Sequence, residues 1–316
     1  MRVLVVGAGA TGGYFGGRLA AAGRDVTFLV RPARAEALAR TGLVLTGPGE
    51  DAHVPAPRTV TAAALRDGAA GPFDLVLLSC KAYDLDAALD DVAPAVGPET
   101  LVLPILNGLR HLDALDARFG AERVLGGSCS IVATLGPAGE IHRMNDLHLL
   151  IFGERDGART PRIARVETLM AEAGFQARLS RDVVGEMWEK WVFLATLAAA
   201  TASMRGSVGD ILAAPGGRDL IEGLIAECRA VAAAAGHPPR DAFLAGARGK
   251  LLDPHSTVTA SMLRDIENGA RIEADHIVGD LIGRGRALAP DAGRPGLERA
   301  YTALKTYEHR RARQAA

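Results

Sequence analysis

Arg2-Val-Leu-Val-Val-Gly-Ala-Gly-Ala-Thr-Gly12 opens the chain, and its reading decides the fold of everything that follows. Arg2 to Val6 is a short β-rich run. It delivers the backbone into Gly7-Ala8-Gly9-Ala10-Thr11-Gly12, after which Tyr14, Leu19 and Ala20 recur at helical spacing as far as Gly23. A G-x-G-x-x-G string on its own is a weak signal, but between a buried strand and a helix it has a mechanism. Gly7 permits a tight turn, Gly9 removes the Cβ that would block a pyrophosphate, and Gly12 lets helix and strand pack closely. The N–H groups of the turn, from Gly7 through Ala8, Ala10 and Thr11, would then face a phosphate, helped by the helix dipole.

The segments after this turn predict a Rossmann-type α/β dinucleotide-binding domain. Asp25 to Val30 reads as the second strand and ends at Arg31, with Arg34 one turn on. A carboxylate at that place would bond a ribose 2′-hydroxyl and favour NAD, whereas an arginine meets a 2′-phosphate, so the expected cofactor is NADPH. A pair of solvated arginines at a helix start is the alternative. Phe73 to Ser79 is a continuous apolar run suited to a strand buried on both faces, and it ends at Cys80-Lys81. Ligands of such sheets bind beyond the carboxyl ends of the strands, which sets Lys81 near the cofactor; a solvated lysine fits the same sequence. Leu101 to Leu106 is the next strand, ending in Asn107-Gly108. Asn107 either serves the turn or faces a nicotinamide or substrate. Leu43 to Thr46 and the pieces from His53 to Val60 carry no chemistry. Val124 to Thr134, Glu140 to Asn145 and His148 to Phe152 read as β-rich runs, broken at Gly136-Pro137 and at Asp146, that extend the sheet in partly antiparallel fashion. A helix over Ile163 to Ala173 and a strand over Phe175 to Ser180 close a first domain of residues 1–180.

Composition narrows the function classes. A chain of 316 residues exceeds the usual size of a single core, so two domains are expected. Lysine plus arginine number 36 against 37 acidic residues, giving a formal charge of -1 and no cationic field for nucleic acid or anionic lipid. Aromatic residues make up 4%, too few for a base-stacking surface. Cys80, Cys129 and Cys228 lie far apart without a C-x-x-C pair, which argues against a disulfide framework or a metal site and for a reducing cytoplasm. The N-terminus runs straight into a strand instead of a cleavable apolar segment, and no run is long enough for a membrane span.

Residues 181–316 read as an all-α domain. Helical patterns cover roughly 182–204, 217–235, 240–251, 257–283 and 294–313, with breaks such as Ala214-Pro-Gly-Gly217 and Gly236-His-Pro-Pro239. Arg310 to Ala316 reads as a frayed end. Within the first helix, Lys190 precedes fourteen uncharged residues and shares a face with Leu194, Leu197, Ala198 and Thr201. A snorkelling lysine on a solvated rim and a catalytic lysine in a cleft are both consistent with this segment alone.

Ala260-Ser-Met-Leu-Arg-Asp-Ile-Glu-Asn-Gly-Ala-Arg-Ile-Glu-Ala-Asp-His-Ile277 is the richest stretch of the second half. Together with the Gly7 turn, Asn107-Gly108 and Trp188-Glu-Lys190, it resembles the ketopantoate reductase family, in order and approximate spacing, from residue 2 to beyond residue 280. The resemblance implies reduction of 2-dehydropantoate to (R)-pantoate with NADPH, a step toward pantothenate and coenzyme A. It assigns Lys190 and Glu273 to catalysis, Ser261 to the substrate carboxylate and Asn107 to the neighbourhood of the nicotinamide. Arg31 and Lys81 fall on positions that meet the 2′-phosphate end. The partner it implies is a small 2-oxo acid, with the helical domain carrying the substrate and, in a homodimer, the subunit contact.

The chemistry of the residues agrees with this assignment. Hydride delivery to a ketone leaves an alkoxide, and a placed proton donor there contributes on the order of 10²- to 10⁴-fold. Lys190 suits that task, and Glu273 can hold the ammonium and bond the developing hydroxyl. Two positions depart from the family. It commonly has asparagines four and eight residues after the lysine; here Leu194 and Ala198 replace them and leave a more apolar substrate pocket. A second reading is therefore a reductase of a less polar 2-oxo acid or related carbonyl compound. His276, one turn from Glu273, is an alternative acid, although a supporting or surface role suits it better. A non-catalytic NADP-binding sensor is the reading from another class, and the presence of both Lys190 and Glu273 argues against it.

Overall fold

The computed structural model describes residues 1–315. In chain order its first part runs β1 (Arg2–Val6), α1 (Ala10–Ala21), β2 (Asp25–Leu29), α2 (Pro32–Thr41), β3 (Leu43–Thr46), β4 (Ala52–Val54), β5 (Arg58–Val60), α3 (Ala62–Arg66), β6 (Leu75–Leu78), α4 (Leu85–Val92) and β7 (Leu101–Pro104). It continues through α5 (Arg110–Phe119), β8 (Gly126–Leu135), β9 (Ile141–Gly153), α6 (Pro161–Met170) and β10 (Gln176–Leu179). The strands β5-β2-β1-β6-β7 form one sheet, parallel at every pairing. All four residues of β6 and of β7 are buried, as expected of strands covered on both faces.

Helix α1 packs closely on this sheet and on Ile141 of β9 because its inward positions are glycine. A Cβ on Gly12 would fall 1.9 Å from Ser79 Oγ, one on Gly13 2.4 Å from Ile141 Cδ1, and one on Gly16 2.7 Å from Phe28 Cε1. Each helical glycine costs roughly 0.5–1 kcal/mol in backbone entropy relative to alanine. The compensation is close packing around Val5, Phe15, Leu19 and Phe28, all at most 0% exposed.

The expectation that the β-rich runs from Val124 to Phe152 extend the first sheet is corrected. With β3, β4 and β10 they make a second sheet, ordered β10-β9-β3-β4 with β8 paired to β9. The reason is local: β8 and β9 are long neighbours joined by the turn at Gly136 to Gly139, so each finds its antiparallel partner in the other. Nor does β9 break at Asp146. That side chain is 95% exposed, and a polar residue pointing to water needs no interruption of the strand.

The chain forms two compact units. One comprises Met1–Leu106 and His111–Val183, and the other comprises Asn107–Arg110 together with the chain from Val184 onward. The second contains α7 (Val183–Met204), α8 (Val208–Ala213), α9 (Gly217–Ala234), α10 (Asp241–Leu251), α11 (Ser261–Glu267), α12 (Asp280–Leu288) and α13 (Pro295–Ala315). Helix α8, absent from the sequence expectation, starts with a capping box in which Ser207 and Asp210 each bond the other's backbone. The single helix expected over 257–283 is two helices. Gly269, at φ +66°, ends α11, and the chain re-enters helical structure through a π turn at Asp275–Gly279. The frayed end expected from Arg310 is also corrected: α13 continues to Ala315, and Arg311 Nε donates to the Gly269 carbonyl at 2.7 Å. Ala316 lies outside the described residues. Among the described residues no helix is long and apolar enough to cross a membrane.

Candidate active site

The glycine turn of the first unit separates into a conformational, an open and a packing glycine. Gly7 stands at φ +92° and its N–H donates to the Leu29 carbonyl at 2.9 Å. Gly12 is pressed against Ser79, whose Oγ donates to the Val6 carbonyl at 2.9 Å. Gly9 differs from both: a Cβ there would meet nothing within 4 Å. Gly9 is also the N-cap of α1, which has no side-chain cap and no acidic residue in its first turn. Ala10 and Thr11 are half-buried beside it. A helix N-terminus left uncapped, with open space before it, fits an anionic ligand and suits the pyrophosphate of a dinucleotide.

Beyond the next strand, Arg31 is the N-cap of α2 and its side chain is 84% exposed, with Nη2 3.2 Å from Asp84 Oδ2. Asp84 closes a one-turn helix, Ala82–Asp84, whose N-cap is Lys81. Arg31 is thus paired with an acid three residues after Lys81. Nothing in the sequence spacing singled out Asp84. Arg34 is committed elsewhere: its guanidinium donates to the Ala8 carbonyl at 3.2 Å and the Gly139 carbonyl at 2.8 Å. Burial lowers its pKa. It ties the glycine turn to the β8–β9 turn.

In the helical unit the four residues Trp188 to Trp191 have unequal fates. Trp188 is buried and stacks on His237 with ring centroids 5.8 Å apart. Glu189 is 5% exposed and accepts from Arg240 N at 2.9 Å, Nε at 2.8 Å and Nη2 at 2.5 Å. Trp191 is 1% exposed and donates from Nε1 to the Ile277 carbonyl at 2.9 Å. Lys190, between these anchors, is half-buried. Fixing three of four consecutive side chains fixes the direction in which the fourth leaves the helix.

The same helix organises the block that follows Ala260. Ile277 belongs to the π turn, and Glu273 is the half-buried residue just before helical structure resumes. The Trp191 bond therefore joins the turn after Lys190 to the turn after Glu273. Further along α7, Thr201 is fully buried; its hydroxyl donates to the Leu197 carbonyl at 2.7 Å and accepts from Ala260 N at 3.1 Å. Ala260 is the N-cap of α11, so this bond seats the exposed Ser261, the first residue of that helix. Leu194 is half-buried and Ala198 only 4% exposed, on the face that Lys190 and Thr201 share.

Asn107 and Gly108 fall in the helical unit as well. The Asn107 backbone hydrogen-bonds the imidazole of His276, which is 5% exposed; burial holds that imidazole below the ordinary histidine range, against the opposing pull of Glu273 and Asp280. A buried histidine so disposed is neutral near pH 7. That weakens its candidacy as the acid and removes the surface role. No cluster of three or more potential metal-ligating side chains occurs among the described residues.

A Rossmann-type parallel sheet followed by helices, with these two groups of residues, defines a dinucleotide-dependent oxidoreductase. Comparison with known proteins names the family: the chain matches "Ketopantoate reductase PanE/ApbA" over residues 3–157 and "Ketopantoate reductase PanE/ApbA C terminal" over residues 182–308, and it belongs to that family. It is 39% identical to the uncharacterized oxidoreductase YkpB of Bacillus subtilis, over 98% of this chain and 99% of that protein. The crystal structure of 2-dehydropantoate 2-reductase from Geobacter metallireducens GS-15 superposes with a TM-score of 0.86 at 30% identity, covering 97% of this chain and 99% of that one. A D-mandelate dehydrogenase solved with NADH and anilino(oxo)acetate shares the fold at 20% identity, with a TM-score of 0.85 and 99% and 100% coverage.

Proposed function

We propose that this protein reduces a 2-oxo acid to the 2-hydroxy acid with NADPH, and that its substrate is 2-dehydropantoate, giving (R)-pantoate for pantothenate and coenzyme A synthesis. The observation that carries the reading is the anchoring of Trp188, Glu189 and Trp191 around a half-exposed Lys190, with Trp191 bonded to the segment that follows Glu273. The dinucleotide is held by the turn Gly7 to Gly12, with Arg31 and Lys81 at its 2′-phosphate; when bound, its reduced nicotinamide supplies a hydride to the substrate carbonyl carbon. Lys190 donates a proton or a charged hydrogen bond to the carbonyl oxygen, where negative charge develops. Glu273 orients the ammonium, Ser261 holds the substrate carboxylate, and Asn107 contacts nicotinamide or substrate. In this reading residues 1–180 bind the nucleotide, and 181–316 bind the substrate and form the contact of a cytoplasmic homodimer.

Leu194 and Ala198 support a second reading of the substrate alone. Two aliphatic side chains on the lysine's face offer no hydrogen bond to a hydroxyl, which favours a less polar 2-oxo acid over 2-dehydropantoate. The proton-donor assignment is tested by Lys190→Ala. Turnover is expected to fall at least ~10²-fold while the NADPH Kd stays within about twofold; an unchanged kcat removes Lys190 from its role.

A further inference from the structure

The course of the chain around Asn107 asks for an explanation. It leaves the nucleotide-binding unit after Leu106 and resumes it at His111, and the four residues between belong to the helical unit. His276 is one of the residues that meet them there. His276 is 5% exposed and its imidazole hydrogen-bonds the Asn107 backbone. Gly108, next in sequence, stands at φ +74°, and a Cβ on it would fall 3.0 Å from His276 Cδ2 and 3.0 Å from the His276 carbonyl oxygen. Ring and backbone of His276 therefore both lie against the turn, close enough that a Cβ would have to displace them slightly, and the positive φ itself favours glycine.

His276 is in turn closely held. It lies in the π turn Asp275–Gly279, a geometry that leaves backbone carbonyls without their usual α-helical partners. Within it, the Ile277 carbonyl accepts from Trp191 at 2.9 Å. On the other side Asp275 accepts from Tyr301 Oη at 2.5 Å and from Lys305 Nζ at 3.0 Å, both on α13. The residues before and after His276 are thus pinned by two different helices, and the imidazole between them is a rigid platform.

We infer that His276 is a positioning residue for the reaction: its imidazole fixes the Asn107-Gly108 turn and so sets where the Asn107 amide meets nicotinamide or substrate. This rests on the assignment of Asn107 given above. His276 acts in this role through a backbone hydrogen bond and a van der Waals face. The sub-ångström placement of an amide is worth large rate factors, because misplacement by about 1 Å costs on the order of 10²-fold.

The test combines amide hydrogen exchange over residues 105–110 with steady-state kinetics of the full-length protein. His276→Phe keeps an aromatic side chain, slightly larger, and removes the donor. Exchange of the 105–110 segment is expected to rise roughly tenfold and kcat to fall roughly tenfold, with the NADPH Kd within about twofold. His276→Asn, which retains a short side-chain donor, is expected to recover most of both. Unchanged exchange in His276→Phe overturns the inference whatever the activity does. Should that variant fail to fold, Gly108→Ala leaves His276 intact and presses a Cβ on it; native exchange and native kcat in Gly108→Ala overturn the inference equally. Asn107→Ala separates the two levels: full turnover there overturns the role of Asn107 and with it the catalytic purpose of the platform, while the exchange result still reports on the platform alone.

Discussion

The glycine turn and the lysine helix, proposed as phosphate cradle and proton donor, are built by opposite means. Six consecutive residues build the turn, and its distant props come from nearby parts of the same unit: the Leu29 carbonyl, the Arg34 guanidinium and the Ser79 hydroxyl just beyond β6. The helical side is assembled across the chain: Trp191 meets Ile277 86 positions away, Thr201 meets Ala260 59 positions away, and His276 meets Asn107 from the far end of the fold. A phosphate cradle needs only backbone N–H groups, which any sequence supplies once glycine allows the path. A proton donor needs a particular side chain held at a particular angle, and that takes packing from several elements.

The contrast can be broken within the turn itself. Gly9→Ala and Gly12→Ala are both expected to weaken NADPH binding, by roughly a hundredfold or more, for different reasons. At Gly12 the added methyl meets Ser79 Oγ at 1.9 Å and the Gly7 carbonyl at 2.7 Å, so the melting temperature falls with affinity. At Gly9 it meets no protein atom within 4 Å, so the melting temperature is expected to stay native while fluorescence titration shows the affinity lost. A Gly9→Ala protein that binds NADPH normally would contradict the cradle.

The next effect lies on the helical side. Arg240→Ala leaves the Glu189 carboxylate, 5% exposed, with only the backbone N–H of residue 240. Removing the partner of a buried charge costs about 3 kcal/mol, read as a lower urea midpoint at unchanged slope. Because Arg240 touches the residue beside Lys190, kcat should fall with stability. A variant with native stability would show that Glu189 does not depend on this partner.

Smaller effects are expected at the exposed Arg31 and its partner Asp84. Arg31→Ala should narrow the preference for NADPH over NADH by roughly tenfold in kcat/KM ratio, since a guanidinium pairs with the extra phosphate and not with a hydroxyl. An unchanged ratio refutes that contact. Asp84→Asn is expected to act in the other direction and more weakly, tightening NADPH by a few-fold, because Arg31 is 84% exposed and its 3.2 Å pair with Asp84 is a surface interaction. Weaker NADPH binding in Asp84→Asn would mean that the acid organises the site instead of competing for it.

These differences explain how much could be read from the sequence. The glycine turn, the alternation of strands and helices and the helical second half were legible, because each rests on spacing within a dozen residues. The second sheet was not, since a β-rich run does not state its partner. Glu273 was expected inside a continuous helix; Gly269 at φ +66° and the π turn break that helix, and neither disturbs the apolar periodicity of the segment. Lys190 was assigned by family resemblance, and the residues anchored around it are ordinary core residues in sequence. His276 read as a supporting or surface residue more than as an acid, and only the tertiary position of Asn107-Gly108 shows what it faces.

Oxidation of NADPH by the purified protein across a panel of 2-oxo acids, 2-dehydropantoate and more apolar members included, tests the central claim most directly. The expected result is turnover with at least one member, lost in Lys190→Ala protein that still binds NADPH. Tight nucleotide binding by well-folded protein with no turnover on any 2-oxo acid would contradict it.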